Sequence, residues 1–305
     1  MITEIAKKGK CEGKRICIRF PFRVNSRKAE FVWNRLSSYE NPWSDPPPAL
    51  PPEVPGAVRA EPSENPDWSG WDVLQLAILT IVSIIVFLLL SAIAAQRFLY
   101  PRLPFVEVVK YPLVTVMAQL LAYLLVLAFM VAVAKRVPGR KFWSAIRWSW
   151  PRKWQAYLVG GMVLSVGLQG IAHFLPMPRE LPIDRFFQTA PEAWVLSIFG
   201  VTLAPLMEEL FFRGFFYPVL VRRLGVVAAV VITAASFGLI HAPQLGRAWG
   251  PVLVVFVVGL ALTITRAVTK SVAPGFLMHV AYNGTISVLI FVATDGFRHL
   301  EKLNQ

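Results

Sequence analysis

The chain has 305 residues, 55% of them hydrophobic, with a mean hydropathy of +0.54 and a formal net charge of +13. That apolar content lies above the ordinary globular range and excludes a water-soluble domain of average composition. The only two cysteines, Cys11 and Cys17, sit near the N-terminus and exclude a disulfide framework or a Cys-based zinc site.

Residues 1–40 hold ten Lys/Arg against four Glu. Beside membrane spans such a segment reads as a cytoplasmic flank drawn to anionic lipid, so no nucleic-acid partner is expected. Nine prolines follow between Pro42 and Pro66, a composition that favours polyproline II or disorder over a packed core. The first apolar span starts near residue 72, too late for a cleaved signal peptide.

Seven apolar segments then follow. The first covers about 72–95 and is followed by Arg97 and Arg102. The second, 112–134, is closed by Lys135, Arg136 and a basic loop in which Trp143, Trp148, Trp150 and Trp154 are placed as interfacial anchors. The third, about 154–175, carries Gly160, Gly161, Gly167 and Gly170 as a small-residue face; His173 near its end reads as interfacial. The fourth, about 193–220, holds Glu208, Glu209 and Arg213, with Pro205 expected to kink it. The fifth, 226–241, places Phe237 and His241 one turn apart and stops before Pro243. The sixth, about 250–265, is bounded by Arg247 and Arg266. The seventh, about 272–292, carries His279 and Asn283 at the same i, i+4 spacing.

The expected fold is an all-α polytopic transmembrane bundle of about seven to eight spans behind a disordered basic, Pro-rich tail. The expected units are a tail (1–70), N-terminal helices with a basic loop (71–150), a catalytic core (151–295) and a polar C-terminal tail (296–305). The basic loops place the N-terminus in the cytoplasm and the C-terminus outside, in a bacterial inner membrane. On that count His241 lies toward the outer side and His279 toward the inner. The two can meet only if helices are broken, tilted or of unequal length.

A charge near a bilayer centre costs a few kcal/mol, so Glu208, Glu209 and Arg213 need a reason to be there. Arg213 follows Glu209 by four residues in the favourable acid-before-base order and forms its pair. Glu208 is turned about 100° away and is free to face a cavity. A buried ion-pair network that only fixes helix packing is the alternative. Taken as one cavity, Glu208, His241, His279 and Asn283 supply a base for water and donors for an oxyanion. Glu208 with the two histidines could instead hold one Zn2+ with an open position. Within the spans no Ser–His pair at a nucleophile turn and no cysteine supports an acyl-enzyme mechanism.

Glu208-Glu209-x-x-x-Arg213, Phe237-x-x-x-His241 and His279-x-x-x-Asn283, in this order on successive spans, resemble the CPBP (CAAX protease and bacteriocin-processing, or Abi) family. The resemblance covers about 155–295 and includes the family's best-known member, the type II CAAX prenyl endopeptidase. It implies an intramembrane endopeptidase in which Glu208 activates water with help from His241, and His279 and Asn283 stabilise the oxyanion. Glu209, Arg213 and Phe237 take the supporting positions. It implies a membrane protein or lipidated peptide as substrate, the bilayer as setting, and no cofactor, with Zn2+ as the alternative. Two other functions remain open from the sequence. One is a non-catalytic immunity or scaffold protein that keeps the fold. The other is a transporter using Glu208 as a proton relay, although the Glu-Glu pattern has no counterpart in the first half.

Overall fold

In the computed structural model, residues 66–136, 139–178, 181–182, 187 and 189–301 are described. The basic tail and most of the proline-rich run lie outside them. Among the described residues every regular element is helical. The helices are α1 (Gly70–Phe98), α2 (Phe105–Val108), α3 (Pro112–Ala134), α4 (Phe142–Ala145), α5 (Trp154–Ala172), α6 (Ala190–Val201), α7 (Leu203–Glu209), a π-helical segment (Leu210–Phe216), α8 (Tyr217–Leu224), α9 (Val226–His241), α10 (Trp249–Thr269) and α11 (Ala273–Ala293). Six stretches are long and apolar enough to cross a membrane, with α6 to α8 forming one of them; α9 is a shorter apolar helix. The chain is an integral, multi-pass membrane protein.

The outer surface agrees with that setting. Ile81, Ile85 and Ile93 on α1 are each more than half exposed, as are Val163 and Val166 on α5. A soluble surface does not carry such continuous apolar faces, whereas lipid tails accept them without cost. Ser69 and Asp72 begin α1 with a reciprocal capping box, and Thr189 with Glu192 begins α6 in the same way.

The packing defines two ends of the bundle. At one end Val272 N–H donates to the Arg147 carbonyl, and Ser271 and Ser149 exchange hydrogen bonds. Arg222 donates to the carbonyls of Pro66 and Trp68 there, and Asp72 pairs with Arg136 and Asp67 with Arg140. This is the basic end. At the other end Gly250 lies against the Pro176 carbonyl, and Ala193, Phe297 and Leu300 form a small core. The main helix pairs are α1 with α3, α5 with α11, and α9 with α10.

The kink expected at Pro205 is displaced. The helix breaks at Thr202, between α6 and α7, and Thr202 N–H turns back to Ile198 and Phe199. Leu206 N–H still reaches the Thr202 carbonyl, so α7 begins a turn early with Pro205 in it. Proline fits the first helical turn because the nitrogens there have no intrahelical acceptor. A second irregularity, the π segment, has its cause downstream. Pro218 has no N–H, and in α-helical register its ring would press on the Gly214 carbonyl. The chain widens instead, and Tyr217 N–H donates five residues back to Phe212.

The two histidines meet at Glu208 although they sit at different heights on their helices, His241 at the end of α9 and His279 in the second turn of α11. α9 has 16 residues and spans about 24 Å, against about 32 Å for the 21 residues of α10 or α11. It is thus five residues shorter than either, with His241 in its last position.

Only part of the glycine face on α5 is used. A Cβ at Gly161 would lie 2.3 Å from the Met278 carbonyl oxygen, whereas Gly167 and Gly170 have nothing within 4 Å. Gly161→Ala is therefore expected to cost about 1–3 kcal/mol by overpacking α5 against α11. Gly167→Ala should be neutral or mildly stabilising, as measured by thermal unfolding in detergent.

Candidate active site

The site is built around Arg213, which has no solvent-exposed side-chain surface, as is also true of Glu209. Arg213 spends its guanidinium on three elements. It donates to Glu209 Oε1 at 2.9 Å, to the Gly259 carbonyl at 3.0 Å and to Thr263 Oγ1 at 3.2 Å. Its Cζ lies 4.7 Å from the Phe237 ring centroid, a cation–π contact in a dry setting. The backbone beside it needs help as well. Tyr217 N–H is committed to Phe212, and Pro218 cannot donate in π register, so the Arg213 carbonyl takes a bond from Arg266 Nε at 3.2 Å. Trp68 Nε1 donates to the next carbonyl but one, Phe215, at 2.9 Å.

Glu209 is more than the partner of Arg213. Its Oε1 also accepts from His279 Nδ1 at 3.0 Å. Its Oε2 accepts no hydrogen bond from a described residue and lies against Gly275 in the first turn of α11. A Cβ at Gly275 would sit 2.9 Å from that oxygen, so only glycine lets the carboxylate approach. The amino end of a helix favours negative charge there.

Glu208 faces the other way, into a cavity of about 480 Å³. His279 Nε2 is 3.6 Å from Glu208 Oε2, and His241 Nε2 is 3.9 Å from Glu208 Oε1. The two rings thus flank the carboxylate, one at each oxygen. Glu208 and His241 each keep 20% of their side-chain surface open. The hydrogen-bond pattern assigns the ring protons: a carbonyl can only accept, so His241 Nδ1, 2.7 Å from the Phe237 carbonyl, carries the hydrogen. His279 Nδ1 carries one toward Glu209 by the same reasoning. Both Nε2 atoms are left facing Glu208. Phe237 sets the spacing between the rings, with centroids 4.8 Å from His241 and 5.7 Å from His279. Asn283 lines the same cavity but spends one amide hydrogen on the Gly200 carbonyl at 2.7 Å, just before the break at Thr202.

All seven residues singled out from the sequence converge here. Two details differ from the simple pairing. Glu209 joins Arg213 to His279, 70 residues away in sequence, and Arg266 is a buried member of the assembly, not a boundary charge. The cavity also takes in polar side chains of the second span, which the sequence shows as apolar: Thr115, Gln119 and Tyr123. Their i, i+4, i+8 spacing was the available signal. Among the described residues, no group of three or more His, Cys, Asp or Glu side chains is arranged to hold a metal ion.

Arg213→Ala leaves Glu209 buried with a histidine as its remaining hydrogen-bonding side chain, and breaking a buried pair in this way costs about 3–5 kcal/mol. A lowered melting temperature and reduced yield should accompany any loss of activity. If Arg213→Ala melts like the parent yet is inactive, Arg213 acts in the chemistry and not in holding the frame.

A family model described as Rce1-like, type II CAAX prenyl endopeptidase, matches residues 190–285. Neither a curated protein nor a solved structure matches the chain. The matched region covers about a third of the sequence and contains every residue that surrounds Glu208 from α7, α9 and α11. The similarity of residues 190–285 to the Rce1-like type II CAAX prenyl endopeptidase domain is consistent with an intramembrane protease of the CPBP family.

Proposed function

We propose that the chain is an intramembrane endopeptidase that hydrolyses a peptide bond of a membrane protein or membrane-attached peptide, using water activated between Glu208 and His241. One observation carries this reading. Glu208 is the carboxylate that the frame leaves without a cation: Arg213 is spent on Glu209, while Glu208 projects into the cavity between two imidazoles. The gaps of 3.6 and 3.9 Å from Glu208 to the two Nε2 atoms exceed a direct hydrogen bond and suit bridging by one water.

In the proposed reaction, Glu208 takes a proton from that water as its oxygen adds to the scissile carbonyl. His241 Nε2, unprotonated because Nδ1 is committed to the Phe237 carbonyl, accepts from the same water and orients it. The oxyanion forms on the side of His279 and the free amide hydrogen of Asn283. With Nδ1 on Glu209, His279 donates from Nε2 only as the imidazolium, which carries a hydrogen on each ring nitrogen. The proton held by Glu208 then passes to the leaving nitrogen as the C–N bond breaks, giving a carboxylic acid and an amine, which exchange a proton to become carboxylate and ammonium.

Glu208→Gln keeps the shape of the side chain and removes the base. Cleavage of a membrane-reporter peptide by the purified variant should fall by about 10²–10⁴-fold while insertion and monodispersity are kept. Near-parental turnover would refute the role of Glu208. An inactive parent protein would favour an immunity or scaffold role, or a proton relay.

The mechanism is proposed to be metal-free. The two rings approach different oxygens of Glu208 instead of converging with it on one point, and Asn283 is a good donor but a poor zinc ligand. Metal analysis of active protein should find far less than one ion per chain, and a chelator able to reach the cavity should leave turnover intact. Stoichiometric zinc, with activity lost on its removal and restored on its return, would reassign His279 as a ligand.

A further inference from the structure

The cavity is closed toward one end of the bundle and extends toward the other. From α3 it takes Thr115 to Tyr123 and nothing later; from α11 it takes His279 to Ile290 and nothing earlier. From α10 it takes Val255 and Val258, none of the following turns, and from α9 only Phe237 and His241 near the C-terminal end. Phe187 and Gln244 lie in the connections beyond α6 and α9. Every one of these positions runs from the catalytic groups toward the end opposite the basic one. On the basic side the path is filled by buried Met207, Leu210 and Phe215 and by Arg213 with its partners.

The two ends differ in charge. The connection 135–153 alone holds seven Lys/Arg and no acid, and Arg222, Arg223 and Lys270 lie at the same end. The three connections at the other end (99–111, 173–189 and 242–248) hold five Lys/Arg together, mixed with three acids. A Lys/Arg excess in short connections marks the cytoplasmic side.

From these two independent facts we propose that the catalytic cavity opens on the non-cytoplasmic face of the membrane, so that its substrate is a translocated segment of a membrane protein or membrane-attached peptide. This rests on the protease reading for the word substrate, but the direction of the opening does not. Apart from Glu208 and the histidines the wall is apolar or neutral, with Thr115, Gln119, Ser197 and Ser287 among its hydrogen-bonding side chains. It therefore suits an uncharged segment. A lipidated tail on the cytoplasmic leaflet meets the sealed, basic end.

The test reads access and cleavage separately, in intact cells and with the full-length chain. Cys11 and Cys17 are replaced by serine, and single cysteines are introduced as Gln244→Cys, at the cavity mouth, and Lys153→Cys, at the basic end. A membrane-impermeant maleimide should label position 244 in intact cells and reach position 153 only after permeabilisation. In the unaltered chain Cys11 and Cys17, which precede α1, should be protected in the same way, so the orientation is read without any substitution. The converse pattern, or labelling of both ends from outside, overturns the proposal. Two reporters then carry the same uncharged target sequence on opposite faces of one membrane anchor, and only the translocated one should be cut. Cleavage of the cytoplasmic reporter alone overturns the substrate class. Outside labelling of position 244 with neither reporter cut upholds the orientation and counts against the protease reading instead.

Discussion

Arg213 is fully buried in the middle of a membrane domain, and a guanidinium in that position cannot lose its proton to escape the cost of its charge. It must be matched, and its matches come from separate helices: Glu209 from α7, Thr263 and the Gly259 carbonyl from α10, and the ring of Phe237 from α9. Glu209 in turn binds His279 of α11. One charge thereby ties four helices at a common depth. The need for close approach reaches further, to the bare Cα of Gly275 under Glu209 and of Gly259 against Ala234. Such a frame resembles a second coordination shell more than a stabilising salt bridge, because replacing a buried pair by apolar side chains is often neutral for stability. What it gives is position: the imidazole of His279 is held by its far nitrogen and can present only the other one.

The division of labour between the adjacent glutamates follows from helix geometry. A turn of about 100° separates neighbouring side chains, so one of two consecutive residues can point into the packed frame while the other points out of it. Glu209 is neutralised where it is buried. Glu208 is left at the cavity wall, facing the two imidazoles. One residue of the pair thus serves the buried frame while its neighbour lines the cavity.

Much of this was legible in the sequence, because the signals were local. The spans follow from hydropathy, and the pairings Glu209–Arg213, Phe237–His241 and His279–Asn283 follow from i, i+4 spacing. What could not be read was non-local or concerned backbone register. The bond from His279 to Glu209 links residues 70 apart, and Asn283 reaches the Gly200 carbonyl across 83. The π segment leaves no trace in hydropathy, although Pro218 in the middle of an apolar run was its visible cause. The stripe of Thr115, Gln119 and Tyr123 was overlooked because a few neutral polar groups barely lower the hydropathy of α3. That His241 and His279 approach one carboxylate from such different positions along their helices is likewise a non-local fact, visible only in the structure.

The carbonyl that Pro218 leaves open has a bearing on how the chain is made. Its donor, Arg266, is encoded 53 residues later, and the acceptors of the Arg213 side chain on α10 are nearly as distant. While the chain emerges, α6 to α8 precede α10, so until α10 arrives a guanidinium and a peptide carbonyl lack these partners. Unsatisfied groups of this kind are costly in hydrocarbon. The segment must therefore wait at the interface, beside the insertion machinery or against earlier helices until α10 docks. Assembly of the half that holds the cavity is in this sense a single late event: the step that completes the Arg213 frame also brings α10 and α11 alongside α7 and closes the wall of the cavity.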